Sequence, residues 1–279
     1  MVTSISWISS PLWGRTIRSL KMPEREHKLP PIPKNREKNI AIWVVAFILA
    51  PLFRLFFKTV PQDLENLPKK GSYILVSNHT SYADPLAMAY FIFVQLGRAP
   101  HFLAKESLFR IPIFGRVLPY LGQVPIYRQG RSNQDSLAAA KAYLEAGHTI
   151  IMFPEGTLTR DPDLWPMRGR TGAIRLAIES GVPVYPVAHH GVEKVLPRYS
   201  KKFRPSPFKK VLIQVGEQID LSDYKPTDGP EKMSEATEKV MQAITNELKK
   251  IRSGTPPSKR WDPKESGQAA YGNYRKKQK

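Results

Sequence analysis

Residues 73–94 read YILVSNHTSYADPLAMAYFIFV, and how this stretch folds decides the architecture. Tyr73-Ile74-Leu75-Val76 is a short run of aliphatic and aromatic residues that reads as a strand, and Pro85 to Val94 reads as a helix. Asn78 to Asp84 forms the loop between them. A strand that feeds a helix is the repeating unit of an open α/β sheet, and ligand crevices in such sheets form at the strand ends. His79 is therefore expected at a site rather than inside the core. A turn can bring Asp84, five residues on, against its ring, so that the carboxylate holds one ring nitrogen as N–H while the other accepts a proton; the alternative is a His and an Asp with no chemical role. Ser81 is too close to His79 in sequence to reach attack geometry on a turn, so no triad forms here. The expected nucleophile is a hydroxyl of the substrate.

Outward from this unit the same alternation continues. His101 to Ala104 and Thr149 to Phe153 read as strands, with a helix from about Asn133 to Ala146, capped by Ser132 and ended by Gly147, between them. Thr171 to Ser180 is helical up to Gly181, Val182 to Val187 and Val211 to Val215 are extended, and a final helix starts near Pro230. On that helix Met233, Val240, Ile244, Leu248 and Ile251 share one apolar face. Phe153-Pro154-Glu155-Gly156-Thr157-Leu158-Thr159-Arg160 follows the strand 149–153, so a second strand-end loop faces the same crevice as His79. In it Gly156 admits close approach of backbone to a ligand, and Arg160 has the fork geometry for a phosphate. Lys105, Arg110, Arg116 and Arg128 are spread among apolar residues between 105 and 128, a mixture suited to an amphiphile with an anionic head.

The 279 residues carry a net charge of +19 and no cysteine, with 41% hydrophobic residues to build a core. The missing thiol excludes a cysteine nucleophile, thiolate metal sites and disulfides together. The charge points to an anionic partner: nucleic acid, a phosphate-bearing small molecule or an anionic membrane face. Both ends are basic, with eight cations against three acids in residues 1–38 and seven against two in 253–279. No helix-turn-helix, zinc or RNP-type pattern accompanies them, so no nucleic-acid partner is expected. The adjacent His189 and His190 point their side chains apart, and no HExxH or spaced His/carboxylate set occurs, so no metal is expected either.

Ile40 to Phe53 runs fourteen residues without a charge before Arg54. A spanning helix needs roughly 20 apolar residues, and Pro51 and Arg54 interrupt this one. It begins too late for a signal peptide and lacks the small-residue cleavage pattern. The expected element is monotopic, buried in one leaflet with Arg54 and Lys58 reaching back to phosphates; the alternative is a core helix.

Taken together, NHTSYAD as an H-x-x-x-x-D motif, the Lys105-Glu106-Ser107-Leu108 block with its following P-x-x-G-R and Arg128, FPEGT, and VPVYPVA at 182–188 resemble, in order and spacing, the 1-acylglycerol-3-phosphate acyltransferase family of the glycerolipid acyltransferase superfamily, over about Asp63 to Leu221. The resemblance implies an α/β fold with a single mixed sheet flanked by helices, preceded by the membrane-associated segment. It implies His79 as general base toward a glycerol hydroxyl, Asp84 as its orienting partner, and direct attack on the thioester of an acyl-CoA or acyl-carrier protein with no acyl-enzyme. Lys105, Arg128, Glu155, Gly156, Thr157 and Arg160 are the implied contacts to the acceptor's phosphate and glycerol, and Val182, Pro183, Val184 and Pro186 the implied acyl-pocket wall. No cofactor is implied beyond the acyl donor as co-substrate. Leu158 stands where the family usually has Arg, so either Arg160 supplies that charge or the acceptor contact differs; Arg168 and Arg170, before a helix N-terminus, are alternative cations.

The expected organisation is a basic Pro-rich arm over 1–38, a monotopic segment over 39–60, an acyltransferase domain over 61–252, and a basic disordered tail over 253–279. The expected partners are the phospholipid bilayer, a lysophospholipid acceptor and the acyl donor, at the cytoplasmic face of the cell membrane. The competing readings are a related acyltransferase with another lysophospholipid or polyol acceptor and, more remotely, a basic nucleic-acid-binding protein. The oligomeric state is not legible in the sequence.

Overall fold

The computed structural model describes residues 40–126, 132–200, 202, 204 and 209–268, the side chains of 132–134 excepted. The arm over 1–38 and Arg128 fall outside these residues. The order of elements is α1 (Ile40–Phe56), β1 (Phe57–Gln62), β2 (Tyr73–Ser77), α2 (Asp84–Tyr90, continued by a π-helical turn to Gln95), β3 (His101–Lys105), α3 (Glu106–Phe109), α4 (Phe114–Tyr120), β4 (Val124–Ile126), α5 (Ser132–Glu145), β5 (Thr149–Met152), α6 (Gly172–Ser180), β6 (Val184–His190), β7 (Lys209–Val215) and α7 (Pro230–Ile251). The seven strands form one sheet in the order β1-β7-β6-β2-β5-β3-β4.

β2 lies at the centre, parallel to β5 through Leu75↔Ile151 and to β6 through Leu75↔Tyr185. All of its residues are buried, as a strand covered on both faces requires, which is why it reads as an unbroken apolar run rather than an alternating one. β7 runs antiparallel to β6, and β1 parallel to β7, so the sheet is mixed. One face packs Ile74, Val76, Ile150 and Val184 against α5, α6 and α7. The other packs Leu75, Ile151, Tyr185 and Val187 against Phe53 of α1 and Met88 and Phe91 of the α2 region. Consecutive residues of β2 thus serve opposite cores, the period of two that a strand imposes.

The apolar face expected on the last helix is the buried face of α7, which starts with Pro230 after Gly229 and ends at Ile251. α6 ends at Gly181, whose φ of +66° closes the helix with a left-handed residue. Three short elements of the 106–126 region, α3, α4 and β4, were not expected, because runs of three to seven residues carry too little periodicity to detect. The apolar segment forms a helix straight through Pro51 but stops at Phe56, and Phe57–Gln62 pairs with β7 as an edge strand. The sheet therefore begins inside the expected membrane segment of 39–60. Residues 253–268, expected as disordered tail, are docked instead. Arg260 donates to the Pro166 carbonyl at 3.0 Å and to Thr245 Oγ1 at 2.9 Å, and the Trp261 carbonyl accepts from the Arg168 N–H at 2.9 Å. Residues 269–279 lie outside the described set.

Candidate active site

β2, β5, β3 and β4 end on one edge of the sheet, and the loop after β2 carries His79. Its Nδ1 lies 3.0 Å from Asp84 Oδ2. The same carboxylate oxygen accepts the backbone N–H groups of Thr80 at 2.6 Å and Ser81 at 2.7 Å. These bonds explain the five-residue spacing: Asp84 opens α2 and turns back on its own preceding loop, as a side chain at a helix start can. Because Oδ2 is an acceptor, Nδ1 carries the proton, and Nε2 is left with its lone pair. Asp84 is fully buried while the His79 side chain keeps 16% of its exposure, so the ring reaches solvent at the strand ends and the carboxylate stands behind it.

The ring is held from two further sides. Phe153, at the end of β5, stacks on His79 with centroids 4.3 Å apart, and Phe102 of β3 continues the stack behind Phe153. Glu155 Oε1 accepts the His79 backbone N–H at 2.9 Å, and its Oε2 accepts that of Met167 at 3.1 Å. Burial pushes the Glu155 carboxyl up to about 8, against the lowering by those backbone hydrogen bonds. Glu155 is thus a buried strut between the His79 loop and the 165–168 loop, with its carboxyl group turned into the protein. Underneath, Asn78 exchanges two hydrogen bonds with the backbone of His189, which ties the loop to the end of β6. The buried His189 ring donates through Nε2 to the Asn78 carbonyl at 2.9 Å, with Asp84 Oδ2 3.7 Å away.

Gly156 has φ +67°, and a Cβ there would come within 2.9 Å of Arg170 Cδ, so Arg170 lies across this glycine. Lys105 is exposed at the end of β3, and Thr157 is half-buried in the β5 loop. Arg160 is 1% exposed, and Leu158 is buried with it, so this guanidinium has no open face toward the crevice. Val182, Pro183 and Val184 lie at or just before the start of β6, away from the strand end beside His79. Val184, the first residue of β6, pairs with Ile74 and belongs to the α5–α7 core, whereas Pro186 pairs with Val76, three residues before His79. What the sequence did not disclose is the set of supports: Asn78, the Phe153 ring, the Met167 N–H and His189. His189 was visible only as one of an adjacent pair, and the signal that finds it is the parallel pairing of β6 with β2, which brings strand ends together.

This is a mixed α/β sheet with a His–Asp pair in a strand-end loop, and comparison with known proteins says which family it falls in. The Acyltransferase family matches residues 59–190. A 1-acyl-sn-glycerol-3-phosphate acyltransferase of Borreliella burgdorferi is 33% identical over 189 residues, 66% of this chain and 72% of that protein. Its counterpart from Salmonella typhimurium is 36% identical over 182 residues, 63% of this chain and 67% of that one. The chloroplastic BAT2 enzyme of Brassica napus is 35% identical over 171 residues, 60% of this chain, and the chain spans about half of it, 48%. The crystal structure of the 1-acyl-sn-glycerophosphate acyltransferase PlsC from Thermotoga maritima matches with a TM-score of 0.55 at 28% identity, over 76% of this chain and 81% of that one. The chain belongs to the 1-acyl-sn-glycerol-3-phosphate acyltransferase family.

Proposed function

We propose that this protein transfers a fatty acyl group from a thioester donor, acyl-CoA or acyl-carrier protein, to the sn-2 hydroxyl of 1-acylglycerol-3-phosphate, giving phosphatidic acid. The observation that carries the reading is the His79 Nδ1–Asp84 Oδ2 contact of 3.0 Å, with the carboxylate pinned by two backbone N–H groups. His79 Nε2 takes the hydroxyl proton as the acceptor oxygen attacks the thioester carbonyl. A C–O bond forms, the C–S bond breaks as the tetrahedral intermediate collapses, and the imidazolium returns its proton to the departing thiolate. Asp84 faces the positive charge on the ring during this passage, and no group on the protein becomes acylated.

Lys105 at the end of β3 and Arg170 across Gly156 are the cations we assign to the acceptor phosphate, with Thr157 beside them. Arg128 keeps the role implied by its motif. Arg160, being enclosed, braces the loop instead. That shift, together with Leu158 in the position where Arg is usual, also supports a second reading in which the acceptor is another lysophospholipid or a polyol. For the membrane, the exposed apolar residues of α1 support peripheral attachment at the leaflet that faces the thioester pool. Among the described residues no helix is long and apolar enough to cross a membrane.

The test is a donor and acceptor screen with purified protein. Thiol release from acyl-CoA and from acyl-carrier protein is followed with lysophosphatidate, other lysophospholipids and monoacylglycerol, with products read by lipid mass spectrometry. With no cysteine in the chain, a thiol reagent sees only the released product. Lysophosphatidate is expected to exceed monoacylglycerol at least tenfold; equal rates contradict a phosphate site built from Lys105 and Arg170.

A further inference from the structure

We infer that the α3–α4 hairpin is a second membrane-inserting element, which docks into the interface of an anionic phospholipid bilayer beside the mouth of the site. Its sequence explains its shape. Phe109 is buried as an anchor, and Gly115 lies against the Phe109 carbonyl so closely that a Cβ would sit 1.9 Å from that oxygen. The Gly115 N–H donates to the Ile111 carbonyl at 2.7 Å, which closes the turn between the two helices. This tight, internally bonded turn pushes outward the side chains that a soluble surface has least use for. Ile113 is 75%, Tyr120 70% and Phe114 56% exposed, with Leu108, Ile111 and Val117 around them. Contiguous exposed apolar residues of this kind mark a binding surface.

Location and charge identify the occupant. α3 follows β3 directly at Lys105, so the hairpin stands on the edge where β2 and β5 end with His79 and Phe153. α1 reaches the same edge from the other side of the sheet. Phe57, the first residue of β1, pairs with Lys209 at the start of β7, which lies beyond the end of β6 through His190↔Leu212. Among the described residues α1 likewise carries exposed apolar side chains, Phe47 and Ile48 among them. Lys105 and Arg116 are exposed around the hairpin, as are Arg54 in the last turn of α1 and Lys58 in β1, whereas Glu106 pairs with Arg110. An apolar wedge ringed by cations suits a bilayer interface with anionic headgroups, at roughly 1 kcal/mol of attraction per cation near the surface. The choice of a bilayer over a second protein rests also on the proposed function, whose acceptor and product are membrane amphiphiles. Two elements flanking the crevice let such an acceptor slide in from the leaflet with its headgroup toward Lys105.

The chain's lack of cysteine makes the test direct. Phe114→Cys in the full-length protein is labelled with an environment-sensitive fluorophore, and Lys141→Cys on α5 serves as the control. With vesicles of phosphatidylglycerol and phosphatidylcholine, the label at 114 is expected to shift to the blue and to be quenched by spin label on the lipid chains, while the label at 141 does neither. A label at 114 that stays aqueous on vesicle-bound protein overturns the inference. So does a blue shift without vesicles, whether it appears with rising protein concentration, as a contact between copies, or with monomeric acyl-CoA, as part of an acyl pocket. The charged pair Ile113→Glu/Phe114→Glu is expected to weaken partitioning into these vesicles at least about tenfold. Its turnover of a short-chain, monomeric acceptor is expected to stay at the parent level. The label reads its surroundings without catalysis, so failure of the inference and failure of the acyltransferase reading are separately visible.

Discussion

Asp84→Asn isolates the charge behind His79 from the geometry that holds it. All three hydrogen bonds from the loop fall on one oxygen, Oδ2, and two come from backbone N–H groups at 2.6 and 2.7 Å. An asparagine must therefore turn its amide oxygen to that position, because an NH₂ there would face two donors. His79 keeps its Nδ1 proton and its orientation, and only the negative charge is lost. At 3.0 Å the attraction between a carboxylate and an imidazolium is about 1.4 kcal/mol in bulk water and about 5.5 kcal/mol at an effective dielectric of about 20. With Asp84 fully buried and His79 mostly so, the upper half of that range applies. The expected fall in kcat/KM is about 10²- to 10⁴-fold. The assay is initial thiol release with lysophosphatidate and acyl-CoA, run beside a thermal melt that checks the fold. The NH₂ group enters the position of Oδ1, buried and without a hydrogen-bond partner among the described residues, so a drop in stability of about 1–3 kcal/mol accompanies the change. A folded Asp84→Asn protein with kcat/KM within threefold of the parent refutes the role given to the carboxylate.

Other outcomes follow from the supports around that pair. Glu155, pushed up to about 8 by burial, keeps its proton in the native protein over pH values at which the unfolded chain has released it. The native state then binds more protons, so stability should decline from about pH 5 to pH 8 by up to about 1.4 kcal/mol per unit and level off above; denaturant titrations across pH check this, and in Glu155→Gln the decline should be much smaller. Glu155→Gln also leaves an amide N–H against either the His79 or the Met167 N–H, and should lower the melting temperature and kcat together. Gly156→Ala introduces a left-handed alanine and moves Arg170, so a loss of about 1–2 kcal/mol and a raised KM for lysophosphatidate are expected, read by melting and by acceptor saturation. Arg260→Ala removes the bonds to Pro166 and Thr245 that hold the C-terminal strap on the 165–168 loop, and should cost about 2–3 kcal/mol by thermal or urea denaturation; an unchanged midpoint would mean the strap does not brace the loop.

Strongly patterned segments were legible from sequence. The central strands announced themselves because burial on both faces forces uninterrupted Ile, Leu and Val, and α7 because its apolar residues repeat at a helical period along 22 residues. His79 and Asp84 were legible because strand-end loops and local turns act over a few residues. What escaped depends on pairing between distant strands. Phe57–Gln62 looked like the tail of an apolar helix, and only β7, some 150 residues later, makes it a strand. Glu155 looked like a ligand of the acceptor, but its two oxygens are taken by N–H groups of loops that meet only in the folded sheet. Val184 follows the same logic in reverse, since it opens β6 within the α5–α7 core while the strand runs on to His189. Arg260 sits in a stretch whose composition resembles a solvated tail, and nothing local indicates its partners on Pro166 and Thr245.

The central claim is that His79 deprotonates an acceptor hydroxyl which then attacks the thioester directly. It is tested most directly by comparing parent and His79→Ala protein under single-turnover conditions with labelled acyl-CoA, with and without lysophosphatidate, and following the label by intact-protein and lipid mass spectrometry. The account predicts that the parent moves the label to phosphatidic acid only when acceptor is present, never carries it covalently, and loses about 10²- to 10⁴-fold in rate on the substitution. An acylated protein that forms without acceptor and is then discharged by it, or a His79→Ala protein as fast as the parent, contradicts it.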